Sequence, residues 1–400
     1  MINKHNYPWI VLFVATFAQA TTSFIPQGMG SLAPFLVESF KLSNAQIGII
    51  GVSVNAGMML TAILAGKVVD LRGEKVVLVG GGVLTGLGAL LASRSGSFGW
   101  LVVLLFFTGL WASSSTPAGG KAVMTWFPYN KRGFVLGIRQ TGIPIGGLVA
   151  ALTLPIIASK YGWQWAMVGM GIVAIIGSVV CQIILNDNFE KQDTIVNTIQ
   201  RSGDKWAVLH NKDVWLVSLT AITYVSAQAT LVTHLVVFLH IYLGKSIVTA
   251  SFLMALAQLV GASARIVLGI LSDTVFHGFR KPVLVITGTF SALMSLAMIF
   301  INSSTPLWVI GIIIGLFGFS AIGWNGIYAA FMAELVGKEQ AGTALGLGLS
   351  LVQIGVLVSP PTFGLIVDYS GNYTMSWVCL SLLVGAGVLV LSLVHEAKKS

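Results

Sequence analysis

The sequence predicts an all-α membrane protein with twelve transmembrane helices, arranged as two related six-helix bundles. Three observations carry this expectation: 56% of the residues are hydrophobic and only 9% charged, the apolar runs are long and continuous, and short motifs recur in the second half of the 400-residue chain. A water-exposed surface needs about 25% charged residues, and 22 basic plus 13 acidic side chains cannot supply that here. Mean hydropathy is +0.89. A spanning helix takes about 20 apolar residues, whereas a barrel strand takes about 10 of alternating polarity. Runs such as Tyr7–Ile25, Val76–Ala92, Trp100–Trp111 and Trp377–Val394 show no alternation, so helices are expected.

The first span, 8–36, is long enough to cross and lacks a small-residue cleavage site, so it is expected to stay as a helix. Spans 45–66 and 75–94 follow, separated by a loop with Lys67, Asp70, Arg72 and Lys75. Spans 99–127 and 133–158 flank Lys131 and Arg132, and the sixth span runs over 161–185. The one long polar stretch is Asn186–Asp213, with Lys191, Arg201, Lys205 and Lys212 against five acids. Its length suits a linker. It separates an N-terminal bundle, 1–185, from a C-terminal bundle, 213–400, with the cytoplasmic linker at 186–212. The second bundle repeats the plan with spans 213–243, 246–272, 281–301, 305–333, 340–367 and 373–395.

Lysine and arginine placement sets the orientation. With both termini cytoplasmic, fifteen basic residues fall inside, four (Lys41, Arg94, Lys160, Lys245) fall outside, and three lie within spans. The +9 net charge is thus a topology signal and needs no nucleic-acid partner. The expected location is the inner (cytoplasmic) membrane, as a multi-pass monomer surrounded by the lipid bilayer. Cys181 and Cys379 both sit in apolar runs and read as free thiols. No metal site and no cofactor is expected.

The halves repeat in register. Gly66-Lys-Val-Val-Asp70 after the second span matches Gly269-Ile-Leu-Ser-Asp273 after the eighth. Gly133-Phe-Val-Leu-Gly137 opening the fifth matches Gly342-Thr-Ala-Leu-Gly346 opening the eleventh. Related halves imply a pseudo-twofold molecule with its ligand site near the midplane, between them.

The run Gly66-Lys-Val-Val-Asp70-Leu-Arg72-Gly73-Glu-Lys75 resembles G-x-x-x-D-R-x-G-R/K-K, the signature of the major facilitator superfamily between spans two and three. The resemblance implies the major facilitator fold and a secondary transporter working by alternating access. Gly66, Asp70, Arg72 and Asp273 are then gating candidates. An aspartate at a helix end can cap a neighbouring helix N-terminus: Asp70 near Lys338–Gly342, Asp273 near Lys131–Gly133. Trp126-Phe127-Pro-Tyr-Asn-Lys131-Arg132 through Gly142, Thr233-His234, and Arg265-Ile-Val-Leu-Gly269 resemble the monocarboxylate and oxalate–formate exchanger branch. In that branch the span-eight arginine binds the substrate carboxylate. Departures are the absence of an acid between Gln19 and Gly28, and Gly261 where the branch has an aspartate.

Within the spans, away from their ends, stand three basic residues and no acid: Lys121, Arg139 and Arg265. A buried charge costs about 2.5–3.5 kcal/mol even on the lenient insertion scale. Three uncompensated cations call for a partner, and a transported anion is the simplest. Arg265 lies eight residues before Asp273, about 12 Å along a helix and too deep to snorkel. Its fork suits a carboxylate. Lys121 and Arg139 lie about 9 Å in, where either path-lining or an interface role is open. Tyr224 and Gln228 share a face of span seven, and Asn325 and Tyr328 a face of span ten; they read as ligand-orienting groups or ordinary interhelix hydrogen bonds. His234 is a candidate for proton coupling or for a structural hydrogen bond. Glycines and prolines in spans five (Gly142, Pro144, Gly146, Gly147) and eleven (Pro360, Pro361) suit close approach and bending.

The expected function is secondary transport of a small organic anion, a carboxylate first of all, by proton symport or anion exchange. The alternative is proton-coupled efflux of drugs or metabolites. An enzyme is not expected: no nucleophile–base pair shares a polar pocket, and Gly80-Gly81-Gly82 lies in an apolar span without a phosphate-loop context.

Overall fold

The computed structural model describes residues 6–127, 132–185, 207–336 and 340–396. Most of the expected linker, 186–212, lies outside them. Every regular element among the described residues is helical, and twelve segments are long and apolar enough to cross a membrane. Each corresponds to one expected span, with ends shifted by a few residues. The chain divides into two compact units: Met1–Leu42 with Ile50–Ile199, and Ser43–Ile49 with Gln200–Ser400.

The first unit runs α1 (Tyr7–Phe40), α2 (Asn44–Arg72), α3 (Glu74–Ala92), α4 (Phe98–Ala112), α5 (Ser115–Trp126), α6 (Arg132–Gln140), α7 (Gly142–Tyr161) and α8 (Trp163–Ile184). The helix of the second span continues through Gly66 and Asp70 to Arg72, so the signature lies on helix rather than in a loop. The fourth span is broken at Ser113–Ser114 and the fifth at Thr141. Proline explains both. Its ring clashes with the carbonyl four residues back, and its nitrogen has no proton to donate. Pro117 acts on Ser113, and Pro144 on Gln140, where α6 ends. Small residues then allow backbones to meet: a Cβ on Gly142 would stand 2.6 Å from the Thr16 carbonyl of α1.

The second unit runs α9 (Ala207–His210), α10 (Lys212–Val237), a π-helical turn (Phe238–Tyr242), α11 (Ile247–Thr274), α12 (Lys281–Ala297), a 3₁₀ turn (Met298–Phe300), α13 (Leu307–Gly323), α14 (Asn325–Val336), α15 (Ala341–Ser370) and α16 (Thr374–Ser392). Here the tenth span is broken at Trp324, inside Gly323-Trp-Asn-Gly326. Spans four and ten are the corresponding helices of the two halves. Both are discontinuous.

Apolar side chains cover the helix surfaces, with Trp100, Phe107, Ile183, Phe252, Trp308 and Leu389 all exposed, as a lipid-facing surface requires. Cys181 and Cys379 are both free; the first is buried and the second exposed.

Candidate functional site

The fourth and tenth spans each receive a buried arginine from a neighbouring helix beside the break. A helix end leaves its last carbonyls without intrahelical partners; Arg265 supplies a donor at such an end, whereas Arg139 donates into the first turn of the helix that resumes after the break. In the second unit Arg265 of α11 donates from Nε to the Ile322 carbonyl (3.2 Å), at the end of α13. Asn325 donates from Nδ2 to the same carbonyl (3.2 Å) and to Gln228 Oε1 of α10 (3.1 Å). The structure therefore joins Arg265, Asn325 and Gln228 in one polar chain around the break. Arg265 is 9% exposed, which sets its charge in the apolar interior.

Trp324, the residue at the break, packs edge-on against Tyr224 and Tyr328, with ring centroids 5.8 and 5.4 Å away. Tyr224 spends its hydroxyl on the Leu284 carbonyl of α12 (2.8 Å). That hydroxyl rests on Gly288, where a Cβ has no room. Tyr328 is buried, with its hydroxyl over Gly348. These two tyrosines build the aromatic wall that holds the break.

In the first unit Arg139 of α6 is 2% exposed. Its Nη2 donates to Gln19 Oε1 of α1 (2.5 Å) and to the carbonyls of Ser115 (2.9 Å) and Thr116 (3.0 Å), the first turn of α5. Among the described residues its Nε has no hydrogen-bond partner and no carboxylate pairs with it. Gly119 makes this approach possible, because a Cβ there would stand 2.8 Å from that Nε.

Lys121 differs from both arginines. Its ammonium pairs with Asp70 Oδ1 at 2.6 Å, and the two side chains are 38% and 73% exposed. The expectation that all three intraspan cations lack a carboxylate partner is therefore corrected for Lys121. The residues lie 51 apart in sequence and meet only because α2 runs on past the expected end of its span. An exposed pair contributes about 0–1 kcal/mol. Lys121→Gln is expected to shift the melting temperature of the purified protein by no more than about 2 °C.

Asp273 pairs with Arg280 (2.6 Å), which also reaches Glu334 (3.2 Å) and Ser272 Oγ (2.8 Å). Burial lowers the Arg280 pKa; hydrogen bonds and charge from Glu334 and Asp273 outweigh burial and raise it. Glu396 accepts from the backbone N–H groups of Arg280 (2.6 Å) and Lys281 (3.0 Å), capping α12. Lys338 and Lys131, in the segments Lys338–Gly342 and Lys131–Gly133 expected opposite Asp70 and Asp273, lie outside the described residues.

A helix-capping aspartate does occur, at a position the sequence reading left unassigned. Asp368 of α15 accepts from the backbone N–H groups of Asn44 and Ala45 (both 2.9 Å) and from Asn44 Nδ2 (2.8 Å). The first turn of α2, residues 43–49, accordingly clusters with the second unit. Tyr373 donates to Asn44 Oδ1 (2.9 Å), closing the network. Asp368→Ala is expected to destabilise the protein by about 1–2 kcal/mol, the usual cost of a lost cap. Asp368→Asn keeps one acceptor oxygen and about half of that. Melting curves of the two variants check the order.

His234 is fully buried, and its Nε2 meets the Pro360 carbonyl at 2.9 Å. A carbonyl only accepts, so Nε2 carries the proton and ties α10 to α15. Nδ1 is buried with no partner among the described residues.

The sequence profile of the Major Facilitator Superfamily matches residues 9–360. The chain belongs to the Major Facilitator Superfamily. Among its relatives, a probable sulfoacetate transporter of Cupriavidus necator is 24% identical, over 89% of this chain and 86% of that protein. Monocarboxylate transporter 13 of Rattus norvegicus is 27% identical, over 96% and 89%. A crystal structure of a bacterial homologue of the human lysosomal transporter Spinster, inward-facing and occupied, superposes with a TM-score of 0.79 at 16% identity, covering 98% of this chain and 97% of that one. This is a multi-pass facilitator-superfamily protein, consistent with an inner-membrane location. Its function is transport, not catalysis.

The signal for the broken spans was present in the sequence: interruptions at corresponding positions of two halves point to a binding site. Ser113-Ser-Ser-Thr-Pro117 and Gly323-Trp-Asn-Gly326 are such a pair.

Proposed function

We propose that this protein is a secondary active transporter of a small organic anion, with a carboxylate as the leading class. The observation that carries the reading is Arg265, a buried guanidinium at the break of the tenth span beside Asn325 and Gln228. A guanidinium fork binds a carboxylate through two parallel hydrogen bonds, and intramembrane charges mark transport chemistry. Relatives named for sulfoacetate and monocarboxylates support the same class. Arg139 is the second cationic candidate, its Nε still to be satisfied. Lys121 is the weakest of the three because Asp70 already neutralises it. Tyr224 and Tyr328 shape the wall, while Asn325 and Gln228 orient the ligand.

Gly66, Asp70, Arg72 and Asp273 are proposed as gating residues, the two aspartates holding ion pairs at corresponding helix ends. Coupling is proposed as proton symport or anion exchange. The unpartnered Nδ1 makes His234 the protein's own candidate proton carrier.

Uptake by reconstituted vesicles tests the reading. Labelled carboxylates are expected to accumulate and to exchange against internal carboxylate. Accumulation of cationic drugs with no carboxylate flux would contradict it. If His234 carries the coupling proton, His234→Gln abolishes uptake driven by a pH gradient and spares exchange.

A further inference from the structure

At the break of the tenth span, Asn325 and Gln228 each have one side of their amide engaged, and that engagement fixes what the other side offers. The Ile322 carbonyl can only accept, so the Asn325 atom facing it at 3.2 Å is the amide nitrogen, Nδ2. The same nitrogen donates again, so the Gln228 atom 3.1 Å from it is an acceptor, Oε1. One backbone carbonyl thus orients both amides. What remains is Asn325 Oδ1, an acceptor, and Gln228 Nε2, a donor. Each stands one amide carbon away from the bond the two residues share.

Both remaining atoms are open to a ligand. Neither makes a hydrogen bond among the described residues, neither is sealed from the surface, and both residues are half-buried. Residues three and four positions away share a helix face, and beside Gln228 these are Tyr224, Val225, Leu231 and Val232, all buried. On α14 Tyr328, three residues after Asn325, is buried and Ala329 half-buried. Lipid-facing stripes look different: Phe252, Leu259 and Ile266 of α11 recur every seven residues and are all exposed. The open surface of the two amides therefore faces the interior of the second unit, where intramembrane polar groups line water-filled cavities.

One group that accepts and donates at once satisfies both edges, and the smallest is a hydroxyl. A keto or ether oxygen accepts without donating and leaves Asn325 Oδ1 unused. We infer that the transported anion carries a hydroxyl as well as its carboxylate, and that Gln228 and Asn325 select for it. The carboxylate meets Arg265, whose Nε donates to the same Ile322 carbonyl (3.2 Å). The hydroxyl oxygen accepts from Gln228 Nε2, and its proton goes to Asn325 Oδ1. This specificity rests on the carboxylate reading above and adds the second group that the substrate must carry.

Reconstituted vesicles are given matched acids that differ by that group: glycolate against acetate, and 3-hydroxybutyrate against butyrate. Initial uptake below saturation is expected to favour the hydroxylated member of at least one pair by about 3- to 10-fold, the worth of hydrogen bonds between neutral groups. Gln228→Met removes the donor edge and Asn325→Ala the acceptor edge. In each variant the ratio within the pair is expected to fall toward one, whatever the absolute rates. Both members are measured on one preparation, so a loss of folded protein cancels from the ratio, and the wild-type preference is read without any variant. Equal uptake within both pairs overturns the inference and leaves the carboxylate reading standing. A preference that survives in both variants overturns it as well, because other residues then read the hydroxyl. Entry of none of the four acids is the distinct failure of the carboxylate reading, and takes this inference with it.

Discussion

Arg265→Gln is expected to lower uptake of the transported anion by about 30-fold or more and to leave the protein folded. Removing one member of a buried, hydrogen-bonded charge pair costs about 2–5 kcal/mol, which corresponds to between about 30-fold and several thousand-fold in affinity. The fold survives because the Ile322 carbonyl keeps its hydrogen bond from Asn325. Arg265→Lys retains the charge but loses the planar fork. Its expected deficit is smaller, about tenfold, and falls mainly on the concentration dependence. Initial rates in vesicles below saturation, read beside melting curves, separate a lost ligand from a lost fold. Normal rates in both variants would remove Arg265 from the site.

The second large effect concerns stability in the first unit. Arg139→Met leaves the Gln19 oxygen without its donor and takes a shared bond from the Ser115 and Thr116 carbonyls. Buried polar groups stripped of a partner cost about 1–3 kcal/mol each, so a loss of about 2–4 kcal/mol is expected. A single nitrogen, Nη2, makes all three bonds. A lysine ammonium also carries three donors, so Arg139→Lys is expected to retain part of the stability. Gly119→Ala tests the same packing without touching the charge, since its Cβ would meet Arg139 Nε at 2.8 Å. Thermal melting is expected to rank Arg139→Met below Arg139→Lys. An unchanged or higher melting temperature for Arg139→Met would mean that burying the cation costs more than its bonds return.

Much of this structure was legible in the sequence, and the losses have specific causes. Continuous apolar runs located all twelve spans, because in a bilayer every spanning helix must satisfy its own backbone. The same continuity hid the breaks. Apolar residues stand on both sides of Trp324, so hydropathy hardly changes where that helix stops, whereas Ser113 opens the polar run Ser113-Ser-Ser-Thr-Pro117. Pro117 and Pro144 carried the missing information for two of the three breaks. Beside Trp324 the Ile322 carbonyl takes a hydrogen bond from Arg265, 57 residues away, and only the folded chain brings that partner there. Candidate residues Arg265, Gln228 and Asn325 were found from charge and spacing, and the structure joins them. Lys121 was misjudged as uncompensated because its partner lies on another helix. Helix capping by aspartate is expected at Asp70 and Asp273; Asp368 was not assigned that role, since a cap is decided by which N-terminus lies opposite.

The central claim is that Arg265 binds the carboxylate of the transported anion. The most direct measurement is equilibrium stabilisation of the purified protein by a panel of mono- and dicarboxylates, compared with Arg265→Gln. A ligand at 100 times its dissociation constant stabilises by about 2.7 kcal/mol, well within reach of a melting curve. The prediction is clear stabilisation of the wild type by at least one carboxylate and none of the variant. Equal stabilisation of both proteins would contradict the claim.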